Sequence, residues 1–378
     1  MPLRSSLCSH CQRQPPVTPC AHCGRMVCAD CSADEATCAA PRARSFRIGF
    51  GRSLHQFDPT GELALVASWF RRQRVFDLLR RRHVADAVTL PYSRVPLSPI
   101  VHNRLVAWAW TELQNQGGSN GSMRRFRGLN LAALPRGEVR RVENHRDDDF
   151  ELPIDLRLSS SGRVAWFSTR SETIRMWSLD GKEQHEHTPL RAAVIQSADF
   201  DDGADLLFTA TYGYAAVHRV AGPELVATGR IRLPDSDNPW LAGAGGRVVV
   251  ISDYRGDRGH ELSAFALDHE GAPAHAPFYT WSEHDPLPIN METPRIQHPI
   301  VATLGPDGRY VALALEDGRL AVHDLDRTTV RYLRAHGRGV TALRFSKDAG
   351  SLLSTNGRRV IIRPRRGDEF LELARARG

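Results

Sequence analysis

Seven cysteines fall within the first 38 residues and none follows. They run Cys8-x2-Cys11-x8-Cys20-x2-Cys23-x4-Cys28-x2-Cys31-x6-Cys38. A CxxC pair can bring two thiolates to one metal ion, so three such pairs and a seventh thiol point to zinc. A module this short cannot bury enough apolar surface to fold by itself, and metal would supply its folding energy. In a cross-braced arrangement Cys8, Cys11, Cys28 and Cys31 would hold one ion, and Cys20, Cys23 and Cys38 a second. The short gap between Cys23 and Cys28 (GRMV) suits a tight hairpin, which would send neighbouring pairs to different ions.

The chain therefore divides into a metal-built tip, residues 1–45, and a cysteine-free body, residues 46–378. The run CSHCQRQPPVTPCAHCGRMVCADC resembles a B-box-type zinc finger and, more loosely, the FYVE and RING families. That resemblance implies a structural zinc site and a protein-interaction role. The family adds an eighth ligand soon after the seventh, whereas residues 39–46 (AAPRARSF) contain neither Cys nor His. His10, His22 or Asp34 could complete the second set.

Bulk composition narrows the function class. A hydrophobic fraction of 41% and a charged fraction of 25% fit a soluble globular chain. No apolar run is long enough to span a membrane. The opening MPLRSSLCSHC lacks the apolar segment of a secretory signal, which predicts a cytoplasmic protein with reduced thiols, the state that favours zinc over disulfides. The formal charge is +7; seven thiolates and two zinc ions would contribute about −3, leaving roughly +4. Only Lys182 and Lys347 are lysines, and arginine carries the other cations, a composition that suggests a GC-rich bacterial genome.

The body repeats. Short β-rich units share a Gly-containing turn, an apolar strand, a polar turn and a second strand. Examples are SSSGRVAWFSTRSETIRMWSLD, DFDDGADLLFTATYGYAAVHRV and GPDGRYVALALEDGRLAVHDLD. The turn glycines are Gly61, Gly162, Gly203, Gly246, Gly308 and Gly350, with steps of 41, 43 and 42 residues between 162 and 203, 203 and 246, and 308 and 350. The longer gap from Gly61 to Gly162 leaves room for a degenerate copy, IVHNRLVAWAW…RRFRGLNL. Seven units of this length, each with room for four strands, predict an all-β fold, a seven-bladed β-propeller preceded by the zinc-binding module. The segment RAHGRGVTALRFSKDAG resembles the Gly-His…Phe-Ser-Pro-Asp-Gly run of WD-repeat proteins. Phe76–Asp77 and His323–Asp324 stand at the Trp-Asp position of that family, and Trp177–Ser178 keeps the tryptophan.

Two units carry extra length, at 112–128 between middle strands and at 281–297 between the fifth and sixth units. In a propeller those loops share one face, where binding is expected. The arginine run 71–83, with Val75–Leu79 as a strand, would place Arg71, Arg72 and Arg74 near that face, joined by Arg124, Arg125 and Arg127. Such a cluster could hold nucleic-acid phosphates or an acidic protein patch. The acidic run Asp147–Asp149 reads as a solvated turn, His185 and His187 as an outer strand, and His336 as a residue bonded inside its unit.

Motifs for phosphate binding, serine or metallo-hydrolysis and kinase chemistry are absent from the sequence. The expectation is a non-enzymatic scaffold for protein partners, with zinc as its only cofactor and no membrane attachment. By fold analogy it would serve a bacterial multi-protein system such as a conflict system. A nucleic-acid-binding propeller and an enzyme with its active site in the channel are the alternatives.

Overall fold

The structure is a computed structural model. It describes the backbone of the strands named below with adjoining turns. Side chains are described from Ile195 to Glu372 apart from short connecting segments, and before that at 45–48 and a few core positions. The described residues contain no helix, hence none long and apolar enough to cross a membrane.

Two short strands, β1 (Thr18–Pro19) and β2 (Met26–Val27), pair with each other. β3 (Arg44–Arg47) follows. A first sheet is then built from β4 (Arg52–Phe57), β5 (Leu63–Ser68), β6 (Gln73–Asp77) and β7 (Arg82–Ala85). A second holds β8 (Leu97–His102), β9 (Leu105–Asn115), β10 (Met123–Ala133), β11 (Val139–Arg141) and β12 (His145–Asp147). The third is β13 (Pro153–Leu158), β14 (Arg163–Ser168), β15 (Ile174–Ser178) and β16 (Gln184–His187). The fourth is β17 (Ser197–Asp201), β18 (Leu206–Thr211), β19 (Tyr214–Ala221) and β20 (Glu224–Arg232). The fifth is β21 (Trp240–Ala244), β22 (Arg247–Asp253), β23 (Gly259–Ala266) and β24 (Tyr279–His284). The sixth is β25 (Ala302–Leu304), β26 (Tyr310–Ala314), β27 (Arg319–Asp324) and β28 (Thr329–Arg334). The last contains β29 (Ala342–Phe345), β30 (Ser351–Thr355), β31 (Arg359–Arg366) and β32 (Glu369–Phe370). Every pairing is antiparallel, and in each sheet the strands lie in chain order with two exceptions. β12 turns back onto β10, and the last sheet takes β3 from the start of the chain as its strand beyond β31.

Burial explains how these sheets stack. Second and third strands are apolar on both faces: β18 (LLFTAT) is buried at every position, and β26 and β27 nearly so. Outer strands are not, as β20 and β28 show. A strand covered on both sides needs a sheet against each face. Separate apolar clusters supply that cover. Phe208, Val217 and Ile231 of the fourth sheet meet Leu241, Val250 and Phe265 of the fifth. Ile251 and Leu262 of the fifth meet Val311 and Leu313 of the sixth. Tyr310 and Val322 of the sixth meet Phe345 and Leu352 of the last, and Leu353 and Val360 of the last meet Leu54 and Val66 of the first. Inner strands touch in series, β8 with β13, β13 with β17, β17 with β21, β21 with β25, β25 with β29 and β29 with β4. A contact of β5 with β8 completes a closed cycle of sheets.

Close approach of the sheets explains some glycines. A Cβ on Gly243 would lie 2.0 Å from the ring of the buried Phe208 in the next sheet. Overpacking of this kind costs about 1–3 kcal/mol. Gly243→Ala should therefore lower the melting temperature, and Phe208→Leu in the same chain should recover part of it. Additive losses in thermal melts of the two single variants and the double variant would contradict this contact. Gly245 and Gly308 have positive φ, and a Cβ on either would meet the other turn's backbone at 2.3 Å. Both positions therefore require glycine.

Several expectations shift here. The strand expected at Val75–Leu79 is Gln73–Asp77, so Arg74 lies in a strand. The segment 112–128 does not interrupt a turn along its whole length: β9 runs to Asn115 and β10 starts at Met123, an extended hairpin whose register pairs Asn115 with Met123. The unbroken apolar run LVAWAW, followed by TEL, is consistent with the longer strand. Of 281–297, Trp281–His284 belong to β24. In the tip the paired residues are Thr18↔Val27 and Pro19↔Met26, so Met26–Val27 is strand, not turn.

Candidate functional site

All seven sheets of four or five strands share one register. The second residue of each second strand faces one position of the third strand: Ala64↔Phe76, Val106↔Ala132, Val164↔Trp177, Leu207↔His218, Val248↔Phe265, Val311↔His323 and Leu352↔Arg363. That position is penultimate in five of the strands, and β19 and β31 run two residues further. Phe76, Trp177 and His323, singled out in the sequence, are thus structurally equivalent. His218, Phe265 and Arg363 occupy the same place without a sequence signal that marked them. The polar members are buried and bonded. His218 Nε2 lies 3.2 Å from Thr209 Oγ1. His323 Nδ1 lies 2.9 Å from Tyr279 Oη of the neighbouring sheet, and its ring meets Trp281 edge-on. Arg363, with 0% exposure, donates to Ser354 Oγ at 3.0 Å and to the Arg334 carbonyl. His336 Nε2 joins the same Ser354 hydroxyl at 3.2 Å.

Electrostatics agree with a structural role. Burial drives the His323 imidazole down to about 3. Burial, then the positive charge of Arg363, drives His336 down to about 4. Burial pulls the Arg363 guanidinium down to about 10. Neutral histidines locked between strands hold the sheets together, and neither lines the cavity or the groove described next.

A charged cluster ties the fifth, sixth and last sheets together. Arg309 Nε and Nη2 donate to the two Asp324 carboxylate oxygens at 3.0 and 2.7 Å, and Nη2 also donates to Asp368 at 2.7 Å. Arg327 pairs with Asp368, and Arg247 with Asp326 at 2.6 Å. Burial pushes the Asp324 carboxyl up, but the Arg309 hydrogen bond and charge outweigh it and hold it below the usual range. Beside this cluster a cavity of about 120 Å³ is lined by Tyr310, Asp324, Arg327, Arg331, Asp368 and Phe370. That is room for about four waters. The charges there are matched, so the cluster reads as a staple.

The larger opening is a groove of about 590 Å³ between the outer strands of the fourth and fifth sheets. Ile231, Leu233 and Phe265 form its apolar base. Arg230, Arg232, Glu261, Ser263, Thr280 and the loop residues Ala274, His275 and Pro277 form its rim. Its volume is that of ligand- and peptide-holding clefts. Alternating burial puts Ile231 and Leu233 inward while Arg230 and Arg232 stay exposed.

The cysteines Cys8, Cys11, Cys20, Cys23, Cys28, Cys31 and Cys38, with His10, His22 and Asp34, lie outside the described residues. So do Arg71, Arg72, Asp148, Asp149 and the segments 116–122 and 285–299. Arg124, Arg125 and Arg127 lie on β10, opposite Gln114, Leu113 and Thr111, and Arg125 also faces Asp147 of β12. His185 and His187 lie on β16, at the end of its sheet's strand order. Among the described residues no group of three or more His, Cys, Asp or Glu is placed to hold a metal. No protein-family model matches this chain, and no curated protein matches it.

Proposed function

We propose that this chain is a non-enzymatic scaffold whose seven sheets are the blades of a WD-repeat-type β-propeller, carrying a B-box-like zinc tip. The identical register of the seven sheets is the observation that supports the propeller reading most directly, together with the cyclic contact of their inner strands. Equivalent blades can bury both faces only by packing on each other, and they leave grooves and loops for partners.

For the tip, β1 and β2 bracket residues 20–25, which include Cys20 and Cys23, and Cys28 follows Val27 directly. A CxxC between two paired strands, with further cysteines adjacent in the sequence, fits a zinc-thiolate donor set. Cys8, Cys11, Cys28 and Cys31 would hold one ion, and Cys20, Cys23 and Cys38 a second. Zinc bound there would supply the folding energy of the tip.

The test is a tagged capture from the native host, with and without nuclease, comparing wild type with Cys28→Ser/Cys31→Ser. Metal analysis of both proteins accompanies it. Discrete protein partners that survive nuclease are expected, with partner loss and reduced zinc content in the variant. Eluates dominated by nuclease-sensitive nucleic acid would replace the scaffold reading with nucleic-acid binding. Eluates with neither would reject it too and direct attention to an active site in the channel.

A further inference from the structure

We infer that the groove between the fourth and fifth sheets captures an extended acidic segment of a partner protein, which pairs as an added strand with the open half of β20. The inference rests on the scaffold reading and names the kind of partner one surface takes.

The argument begins with the β20 edge. Among the described residues β20 pairs with β19 alone. Leu233 N–H donates to the Gly213 carbonyl at 2.9 Å. That bond fixes the alternation of the ladder, so opposite Tyr214 and Ala216 stand Arg232 and Arg230 at non-hydrogen-bonded positions. The backbone N–H and C=O of both arginines therefore point away from β19, and no described backbone group meets them.

Next to these residues β20 is covered. Around its bulge, Thr228 Oγ1 donates to the Val217 carbonyl at 3.0 Å and to the Gly271 carbonyl at 2.9 Å. Pro273 lies against Gly229, so tightly that a Cβ there would be 2.5 Å from its Cδ. The loop after β23 thus shields this edge strand at Thr228 and Gly229, and its next residues, Ala274, His275 and Pro277, draw aside to line the groove. Edge strands are normally shielded along their length because an open ladder recruits other chains. Here the shield ends beside an apolar base of Ile231, Leu233 and Phe265.

Charge selects the occupant. Arg247, Arg309, Arg319, Arg327 and Arg331 all pair with described carboxylates. Arg230 and Arg232 pair with none; Arg230 lies over the Tyr214 ring at 5.5 Å. Two exposed guanidiniums flanking open backbone groups, with His275 across the groove and Glu261 as the single acid on its rim, favour carboxylates on the incoming strand. Main-chain bonds would give affinity and alternate side chains the selectivity.

The test uses the full chain and a fluorescent peptide alternating Glu and Thr, read by anisotropy. Wild type is expected to bind it, and Arg230→Glu/Arg232→Glu to weaken it about tenfold or more. A second variant, Arg232→Pro, removes the outward N–H without touching the bonds to β19, a change that edge strands tolerate. It should weaken binding while leaving the melting temperature nearly unchanged. A Lys-Thr peptide and an N-methylated Glu-Thr peptide should fail to compete. Equal binding by wild type and the charge variant, equal competition by the N-methylated peptide, or no binding by wild type at millimolar peptide would each overturn the inference. In those cases discrete partners captured by the Arg230→Glu/Arg232→Glu chain would leave the scaffold reading standing; their absence from wild type would remove it separately.

Discussion

A chain lacking residues 1–48 should melt about 5–10 °C below wild type, whereas one lacking residues 1–43 should melt with it. The difference is β3 and the residue after it. β3 pairs with β31 over Arg44↔Ile362 to Arg47↔Arg359. Its Phe46 stacks on Phe76 of the first sheet at 6.0 Å, and Ile48 is buried in the cluster with Leu54, Val66 and Val360. Ile48 N–H donates to the Arg358 carbonyl at 3.0 Å, and Arg359 Nη2 to Ser45 Oγ at 2.6 Å. Burying Ile48 and part of Phe46 is worth about 3–4 kcal/mol together, and the strand bonds add roughly another 1–2. A loss near 5 kcal/mol is a large share of a typical total stability of about 5–15 kcal/mol. In a body of this size, whose unfolding entropy is about 0.7 kcal/mol/K, it corresponds to a drop of about 1.5 °C per kcal/mol. Differential scanning calorimetry of the two truncations decides the matter. Identical melting of both would mean that β3 contributes nothing to the last sheet.

Mild acid should destabilise the fold well before its carboxylates protonate. His323 and His336 stay neutral when folded, with values near 3 and 4 against 6.5 in an unfolded chain. Below about pH 6.5 the unfolded state takes up protons that the folded state refuses, so stability falls as pH falls. Each histidine contributes a slope of about 1.4 kcal/mol per pH unit, until pH approaches its folded value. Between pH 6 and 5 the pair should remove about 2–3 kcal/mol, seen as a fall of about 3–5 °C in melting temperature. Asp324 acts in the same direction but later: its depressed carboxyl contributes stability that is lost only as pH falls through and below the ordinary Asp range. His323→Phe places in this register the residue that Phe76 and Phe265 already supply. It should flatten about half of the pH 6-to-5 slope, while the orphaned Tyr279 hydroxyl costs about 1 kcal/mol at pH 7. Melting curves of both proteins at pH 7, 6 and 5 suffice. Unchanged slopes in the variant would mean that His323 is not the titrating group.

The repeat spacing of the turn glycines made the sheets readable, because each unit returns to the same turn chemistry before an apolar strand. Gly308 and Gly246 have positive φ. The Phe76–Asp77 and His323–Asp324 dipeptides were readable for the same reason. His218 and Arg363 were not: a single histidine or arginine in a strand looks like surface until the register aligns it with Trp177. Arg363 in particular breaks the rule that arginine stays wet, and its burial is intelligible only once Ser354 and the Arg334 carbonyl are seen around it. The groove left no trace in the sequence either. It depends on where one loop stops covering a neighbouring sheet, and nothing in HEGAPAHAP states which strand that loop crosses. The extended β9–β10 hairpin shows the opposite error, in which Gly- and Ser-rich stretches drew the loop boundary too wide.

The seam between β3 and β31 joins residues 314 positions apart, Ser45 and Arg359. A ribosome moving at about 5–20 residues per second would separate their emergence by roughly 15–60 s. Through that interval the other sheets can form in turn, each covered by its successor, while β3 has no partner strand to join. The nascent chain must wait for β31 to emerge before the outer strand of that sheet can pair. Any pause, truncation or frameshift upstream of Val360 leaves both sides of the seam open, so the fold carries within its connectivity a check that translation has passed β31.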